Sequence, residues 1–338
     1  MRRRRLTMTS TLGDGSPDER LARVAAHLLR RIATVATLAI VGSLLSACGT
    51  TTILRTDAER CIDEPRDAGG VTRIDVDTPA GTRDYLLKIP ENYDPRIRTP
   101  VILLFHGMRS SARAVIWSTH MATKASEAGF IVAAPSGLAQ QTELGEFAGW
   151  GLEGPGYARD LSFSRDVLDD VVSRACVDED RLYLAGFSNG SAFALKTACR
   201  SEVDVTAVAG VAAPYLGDDC VEREDEVPIL YFHGTADAIV PFDGGRSVLG
   251  TVPAVATMVA RAVTDRACDS LPKTRQVGPN VVHRSWTGCD AALETYEVEG
   301  GGHRWPGSTT RSNAVVAGSG TREIEATELI LEFFAGQR

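Results

Sequence analysis

Short, largely apolar runs recur along the chain at Val101–Phe105, Ile131–Ala134, Leu182–Ala185, Ala207–Val211, Ile229–Phe232 and Leu293–Val298. Runs of this length fit strands buried on both faces, and the stretches between them are long enough for helices. A closing helix is predicted around Glu323–Phe334, and Val71–Ile89 reads as a hairpin turning at Pro79-Ala80-Gly81. The pattern predicts an α/β fold with a mostly parallel central sheet covered by helices on both faces. The stretch from Gly137 to Asp160 is glycine-rich, carries Phe147, Trp150 and Tyr157, and is long for a connection. Such loops tend to be functional, and one that follows the C-terminal end of a strand is expected to overhang a site and line its groove.

One of the apolar runs leads into a motif. Gly186-Phe187-Ser188-Asn189-Gly190 lies directly behind Leu182–Ala185 and ahead of Ala192-Phe193-Ala194-Leu195, so it reads as strand, sharp turn and helix. This is the pattern of a nucleophile elbow, in which flanking glycines let strand and helix approach closely around a strained serine. The turn lifts the Ser188 hydroxyl clear of the sheet edge, where backbone N–H groups at the start of the following helix can face a developing oxyanion.

A serine hydroxyl needs a base and an orienting carboxylate. His303 follows Gly300-Gly301-Gly302, just after the strand-like Leu293–Val298, which is the place of a late histidine in such a fold. His27, His120 and His283 sit in contexts that suggest solvated or packed side chains. Asp237 lies in a loop after Ile229–Phe232, which gives the chain order Ser, Asp, His expected of an α/β-hydrolase. Asp243 and Asp218 are the rival carboxylates. The oxyanion site needs a second donor from the loop after an early strand, and His106-Gly107-Met108 follows Val101–Phe105. The backbone N–H of Met108 is therefore paired with that of Asn189. His106 and His233 are expected to be structural, each packing under the loop that follows its strand.

Together these residues resemble a known family. His106-Gly107, Gly186–Gly190, His233-Gly234-Thr235-Ala236-Asp237 with Val240-Pro241-Phe242, and Gly301-Gly302-His303 with Trp305-Pro306-Gly307 are similar to the motifs of the polyhydroxybutyrate depolymerase and feruloyl or acetyl xylan esterase family of secreted serine esterases. The resemblance covers roughly residues 71 to 338 and looks like the mycobacterial-type lipoprotein branch. It implies an α/β-hydrolase fold with Ser188 as nucleophile, Asp237 as acid and His303 as base, no cofactor and no metal. Trp150 and Trp305 are the expected substrate contacts. Two positions depart from the family pattern: Ser191 stands where Gly or Ala is common, and Met108 where cysteine is frequent.

The front of the chain carries a separate signal. Arg2-Arg3-Arg4-Arg5 and Arg30-Arg31 precede an uncharged run from Ile32 to Ala47 that ends Leu45-Ser46-Ala47-Cys48. The run is shorter than the roughly 20 residues of a membrane span, and its basic front and small-residue end describe a secretory signal. Leu-Ser-Ala-Cys resembles the lipobox of bacterial lipoproteins, which implies cleavage before Cys48 and its lipidation. The alternatives are an ordinary signal peptide or an uncleaved anchor. Residues 1–47 are then leader, 48–70 a tether, and 71–338 the catalytic domain. The expected location is the outer face of the cell membrane, or the extracellular space.

Cysteine use fits export. Six cysteines remain once Cys48 is assigned, an even number with fifteen possible pairings. The family resemblance favours Cys268 with Cys289; Cys199 with Cys220 is favoured next, which leaves Cys61 with Cys176. No spacing suggests a zinc site. Loss of residues 1–47 removes eight arginines against three acids and leaves a net charge near −13, which disfavours nucleic-acid binding. About 290 residues in a chain that is 43% apolar suffice for one large core, with no repeat dividing it. Ester hydrolysis is the expected activity, with an ester as substrate and the membrane reached through the lipid. A prolyl-oligopeptidase-type peptidase and an inactive surface-binding lipoprotein are the alternatives. No large extra domain precedes the core, and the triad candidates are intact.

Overall fold

The structure is a computed structural model and describes residues 69–338 apart from 80, 143–144, 201–202, 216–225, 248, 309–316 and 338. The leader, Cys48 and all but the last two residues of the tether lie outside the described residues, as do Cys61, Cys220 and Asp218.

The first strands, β1 (Val71–Thr78) and β2 (Gly81–Lys88), form the predicted hairpin, paired from Val71↔Lys88 to Thr78↔Gly81. There follow β3 (Thr99–Phe105), helices α1 (Ala112–Ser118) and α2 (Met121–Glu127), and β4 (Ile131–Pro135). Next come a small hairpin, β5 (Leu138–Thr142) with β6 (Gly145–Gly149), the long helix α3 (Gly154–Arg174), β7 (Val177–Phe187), α4 (Asn189–Cys199), β8 (Ala207–Val211) and β9 (Ile229–Gly234). The remainder is a short pair, β10 (Gly245–Ser247) and β11 (Gly250–Val252), then α5 (Val255–Asp265), β12 (Lys273–Gly278), β13 (Val281–Ser285), β14 (Leu293–Val298) and α6 (Ala326–Gly336).

Ten of these strands make one sheet in the order β1-β2-β4-β3-β7-β8-β9-β14-β13-β12. The six from β4 to β14 run parallel, and the antiparallel pairs β1–β2 and β13–β12 flank them. Side chains of the central strands alternate between two cores. Val101, Leu103, Phe105, Leu182 and Leu184 face α3, α4 and α5, whereas Ile102, Leu104, Tyr183 and Ala185 face α1, α2 and α6. The period-two alternation of a pleated strand, with both faces apolar, is what places helices on both sides.

One segment differs from the sequence reading. Residues 137–160 form a hairpin and the start of α3 rather than a long loop. Behind that hairpin lies a buried ion pair. The Arg83 guanidinium donates to Asp160 at 2.9 Å and to the Ser136 carbonyl at 3.0 Å, and lies 3.7 Å above the Phe163 ring. Asp160 also accepts from the Gly151 N–H at 2.8 Å. His283 sits on strand β13, bonded to Glu294 at 2.7 Å and stacked on Tyr296, a packed side chain as expected. His120 lies between α1 and α2 in a left-handed conformation.

Cys268 and Cys289 are joined by a disulfide, as the family resemblance implies. Cys176 and Cys199 are each disulfide-bonded, and their expected partners, Cys61 and Cys220, lie outside the described residues.

Candidate active site

The parallel strands deliver three side chains to one edge of the sheet. Ser188 follows β7, Asp237 lies three residues past β9, and His303 lies five residues past β14. Ser188 has φ 55° and ψ −125°, a sparsely populated conformation that costs about 1–3 kcal/mol, and its N–H donates to the Val211 carbonyl at 2.8 Å. The flanking glycines are required sterically. A Cβ at Gly186 would overlap the Gly190 carbonyl, and one at Gly190 would overlap the carbonyls of Phe105 and His106. Ser191, the departure noted above, is buried and donates to the Ala213 carbonyl at 2.8 Å, so its hydroxyl is accommodated without disturbing the helix start.

The glycine run before His303 has a similar reason. A Cβ on Gly234 would overlap the Gly301 carbonyl, so the loops after β9 and β14 can touch only because Gly234 is bare, and a Cβ on Gly302 would overlap the Ala317 carbonyl. The Ala236 N–H donates to the Gly301 carbonyl at 2.8 Å and fastens them together. In consequence His303 Nε2 lies 2.8 Å from Ser188 Oγ, and His303 Nδ1 lies 2.7 Å from Asp237 Oδ2. Asp237 Oδ1 accepts from the N–H groups of Ile239 and Val240, both at 2.9 Å. Burial alone would raise the Asp237 carboxyl. Hydrogen bonds from His233 and His303, the His303 charge and the Val240 N–H outweigh burial and hold it far below the usual carboxylate range. It is therefore an anion at working pH. Of the rival carboxylates, Asp243 is exposed.

His233 was expected only to pack, and it does more. Its Nε2 lies 2.9 Å from the Val240 carbonyl, which can only accept, so that nitrogen carries a proton. The same nitrogen is 3.4 Å from Asp237 Oδ2. Nδ1 accepts from the buried Tyr231 hydroxyl at 2.6 Å. Tyr231 and His233 are two residues apart on β9 and so face the same side, a placement legible in the sequence, although their contact with the carboxylate was not.

The other half of the site surrounds the Met108 and Asn189 N–H groups. Among the described residues, no backbone carbonyl accepts from either. The chain around them is held by a network of fixed sense. His106 Nδ1 donates to the Gly107 carbonyl at 2.8 Å, so Nε2 is free to accept from the Gly137 N–H at 2.9 Å. Burial lowers the pKa of this imidazole, in keeping with the neutral tautomer. The Asn189 side chain brackets the Trp150 backbone, accepting from its N–H at 2.6 Å and donating to its carbonyl at 3.0 Å.

The two tryptophans stand elsewhere than expected. Trp150 is 1% exposed, donates its indole N–H to the His106 carbonyl at 2.9 Å, and packs on Phe193 and Phe105. Trp305 is 5% exposed and donates to the Thr327 hydroxyl at 3.0 Å. Both are buried supports for the site, not the walls of a groove. An aromatic ring beside the base is the half-buried Phe187, 5.0 Å from the His303 ring. Its position inside the G-x-S-x-G motif was the available signal.

A base beside a hydroxyl, an anion behind the base and two unengaged N–H groups can move a proton off Ser188 and stabilise negative charge formed nearby. With the fold, this defines the class: an α/β-hydrolase, and a carboxylic-ester hydrolase by its likeness to known proteins. The chain is 26% identical over 263 residues to a putative esterase of Nocardia uniformis subsp. tsuyamanensis, covering 70% of this chain and 74% of that one. It is 25% identical over 284 residues to a probable feruloyl esterase C of Aspergillus terreus, covering 81% and 90%. In fold it is similar to an acetyl xylan esterase from Aspergillus awamori, with TM-score 0.57, 14% identity, and 78% and 99% of the two chains covered. No family model matches the chain.

Proposed function

We propose that this protein is a serine esterase that works through an acyl-enzyme. Ser188 Oγ attacks the ester carbonyl while His303 Nε2 takes its proton, and the Met108 and Asn189 N–H groups bind the oxyanion. His303 then gives the proton to the departing alcohol, and water attacks the acyl-serine by the same route in reverse. Asp237 holds the imidazole with Nδ1 protonated and stabilises the imidazolium. The observation that carries this reading is the unbroken hydrogen-bonded series Ser188–His303–Asp237 at the ends of three parallel strands. Hydroxycinnamoyl and acetyl esters of polysaccharides are the favoured substrates, because the names of the relatives point to them, and polyhydroxyalkanoate esters follow from the motif resemblance.

The leader reading places this enzyme outside the cell, held at the membrane by acyl chains on Cys48. One chain alone binds a bilayer only marginally, so firm anchorage needs more than one. Purified residues 49–338 assayed on a panel of feruloyl, acetyl and straight-chain esters, with a peptide anilide alongside, test the activity. Ser188→Ala and His303→Ala, singly and together, are expected to lose a similar and very large share of turnover, because the groups act as a unit. A Ser188→Ala protein with near-native turnover sinks the nucleophile assignment. For the anchor, an unmodified Cys48 in the mass spectrum of the mature protein rules the lipoprotein reading out.

A further inference from the structure

Beside the oxyanion turn stands a cation that the proposed chemistry does not use. Arg109, the residue after Met108, is exposed, yet its position is closely defined. Its backbone is left-handed, with φ 63°, and its N–H donates to the Ala148 carbonyl at 2.8 Å. Its guanidinium carbon lies 4.3 Å from the centre of the Phe147 ring. A left-handed turn favours glycine or asparagine, so backbone geometry does not account for an arginine here. Arg96, Arg174 and Arg181 are each bonded to an aspartate, whereas Arg109 has no ion pair among the described residues.

The placement of this stack follows from strand geometry. A Cβ on Gly149 would lie 2.8 Å from Asn189 Oδ1 and 3.6 Å from Met108 Cα, so that side of β6 faces the oxyanion turn. Phe147 is two residues earlier and projects to the same side, about 7 Å back along the strand. The guanidinium lies over the ring, and Arg109 as a whole is exposed. A planar fork presented in this way suits bidentate binding of a carboxylate. The chain as a whole has a net charge of −8, which repels anions at long range, so a local cation at the mouth is the feature that would admit one.

We propose that Arg109, steadied by Phe147, is a specificity-determining residue that selects esters bearing a carboxylate a few bonds from the scissile carbonyl. This rests on the reading of Ser188 as the nucleophile of an esterase. Two pairs of probes test it. On the acyl side, p-nitrophenyl hydrogen glutarate is compared with p-nitrophenyl valerate; on the alcohol side, 4-(butyryloxy)benzoate is compared with phenyl butyrate. The quantity read is the ratio of kcat/KM for the anionic ester to that for the neutral one, in the native protein and in Arg109→Gln. Intrinsic reactivity and any general change in the variant cancel in that comparison.

The ratio is expected to fall about tenfold in one of the pairs, and a fall of threefold or more upholds the proposal. Ratios that both change by less than threefold overturn it, and leave Arg109 as a surface residue stacked on a ring. Hydrolysis of the neutral esters by the native protein separates the two readings. If the neutral esters turn over and the ratios do not move, only the role of Arg109 fails. If no ester turns over, the nucleophile reading fails and this inference falls with it.

Discussion

Replacing Asp237 with Asn exchanges one carboxylate oxygen for an NH2 group and removes one negative charge, and the surrounding donors dictate the result. Asp237 Oδ1 receives two backbone N–H groups at 2.9 Å, while Oδ2 faces His303 Nδ1 at 2.7 Å and the Nε2–H of His233 at 3.4 Å. An asparagine can keep its oxygen on the two backbone donors only by turning its NH2 toward His303. Flipping the amide instead sets NH2 against both backbone donors. The first arrangement leaves fewer opposed donors, and it forces His303 to accept at Nδ1 and carry its proton on Nε2. That nitrogen then cannot take the Ser188 proton. By analogy with the serine-protease triad, the loss is on the order of 10⁴ in kcat, equivalent to about 5.4 kcal/mol of transition-state stabilisation.

The assay is steady-state hydrolysis of p-nitrophenyl butyrate, with circular dichroism to establish that the variant is folded. Asp237→Asn retaining kcat within tenfold of native refutes the argument, and so does a larger loss from Asp243→Asn. Stability gives an independent reading. The folded-state pKa of Asp237 is depressed, so the unfolded chain takes up the proton first as pH falls, and stability rises with pH through that window. The contribution is full above the unfolded value of about 3.9 and is lost as pH falls below it toward the folded value. The stability gap between native protein and Asp237→Asn is therefore expected to shrink between pH 5 and pH 2 in urea titrations. A gap that widens contradicts the assignment of an anionic, hydrogen-bonded carboxylate.

Other outcomes follow from single features. Asp160→Ala strands the buried Arg83 guanidinium without its counter-charge and is expected to cost about 3–5 kcal/mol in denaturant unfolding; a cost below 1 kcal/mol would show that the pair is not buried as described. His233→Phe removes a donor from Asp237 and leaves the Tyr231 hydroxyl without its acceptor, so turnover is expected to fall severalfold with KM little changed, and an unaltered kcat argues against a positioning role. Closure of the loop between Cys268 and Cys289, a separation of 21 residues, contributes about 3 kcal/mol in the chain-entropy model. Reductant is therefore expected to abolish activity before global unfolding, and loss of both together in a thiol titration contradicts this.

Much of this was legible in the sequence because it rests on steric necessity. The glycines at 186, 190, 234 and 302 mark places where two backbones meet, and such contacts leave no choice of residue. The order Ser, Asp, His after successive apolar runs then placed the three side chains. What was not legible was burial on the polar side of the fold. Trp150 and Trp305 lie in glycine-containing segments, and an aromatic in such a setting reads equally as a groove wall or an anchor. Indole N–H groups with buried acceptors decided for the anchor. The hairpin of β5 and β6 escaped notice because Gln140, Gln141 and Glu146 are polar and this two-stranded ribbon has no core of its own. The start of α3 at Gly154-Pro155 looks like a loop by composition, although proline at the first turn is a helix signal.

The span between the reacting groups has a consequence for how activity appears during folding. Ser188 and His303 meet across 115 residues of sequence, and the second arrives only when β14 has docked on β9. Contacts of that separation carry a large loop-closure cost and tend to form late. On the proposed roles of Ser188 and His303, a fragment that stops short of the last parallel strand is expected not to hydrolyse an ester, however well its earlier strands have folded. A newly synthesised chain is in this respect silenced by incompleteness. Recovery of turnover on refolding therefore times the docking of β14, and is expected to lag behind the recovery of helix signal.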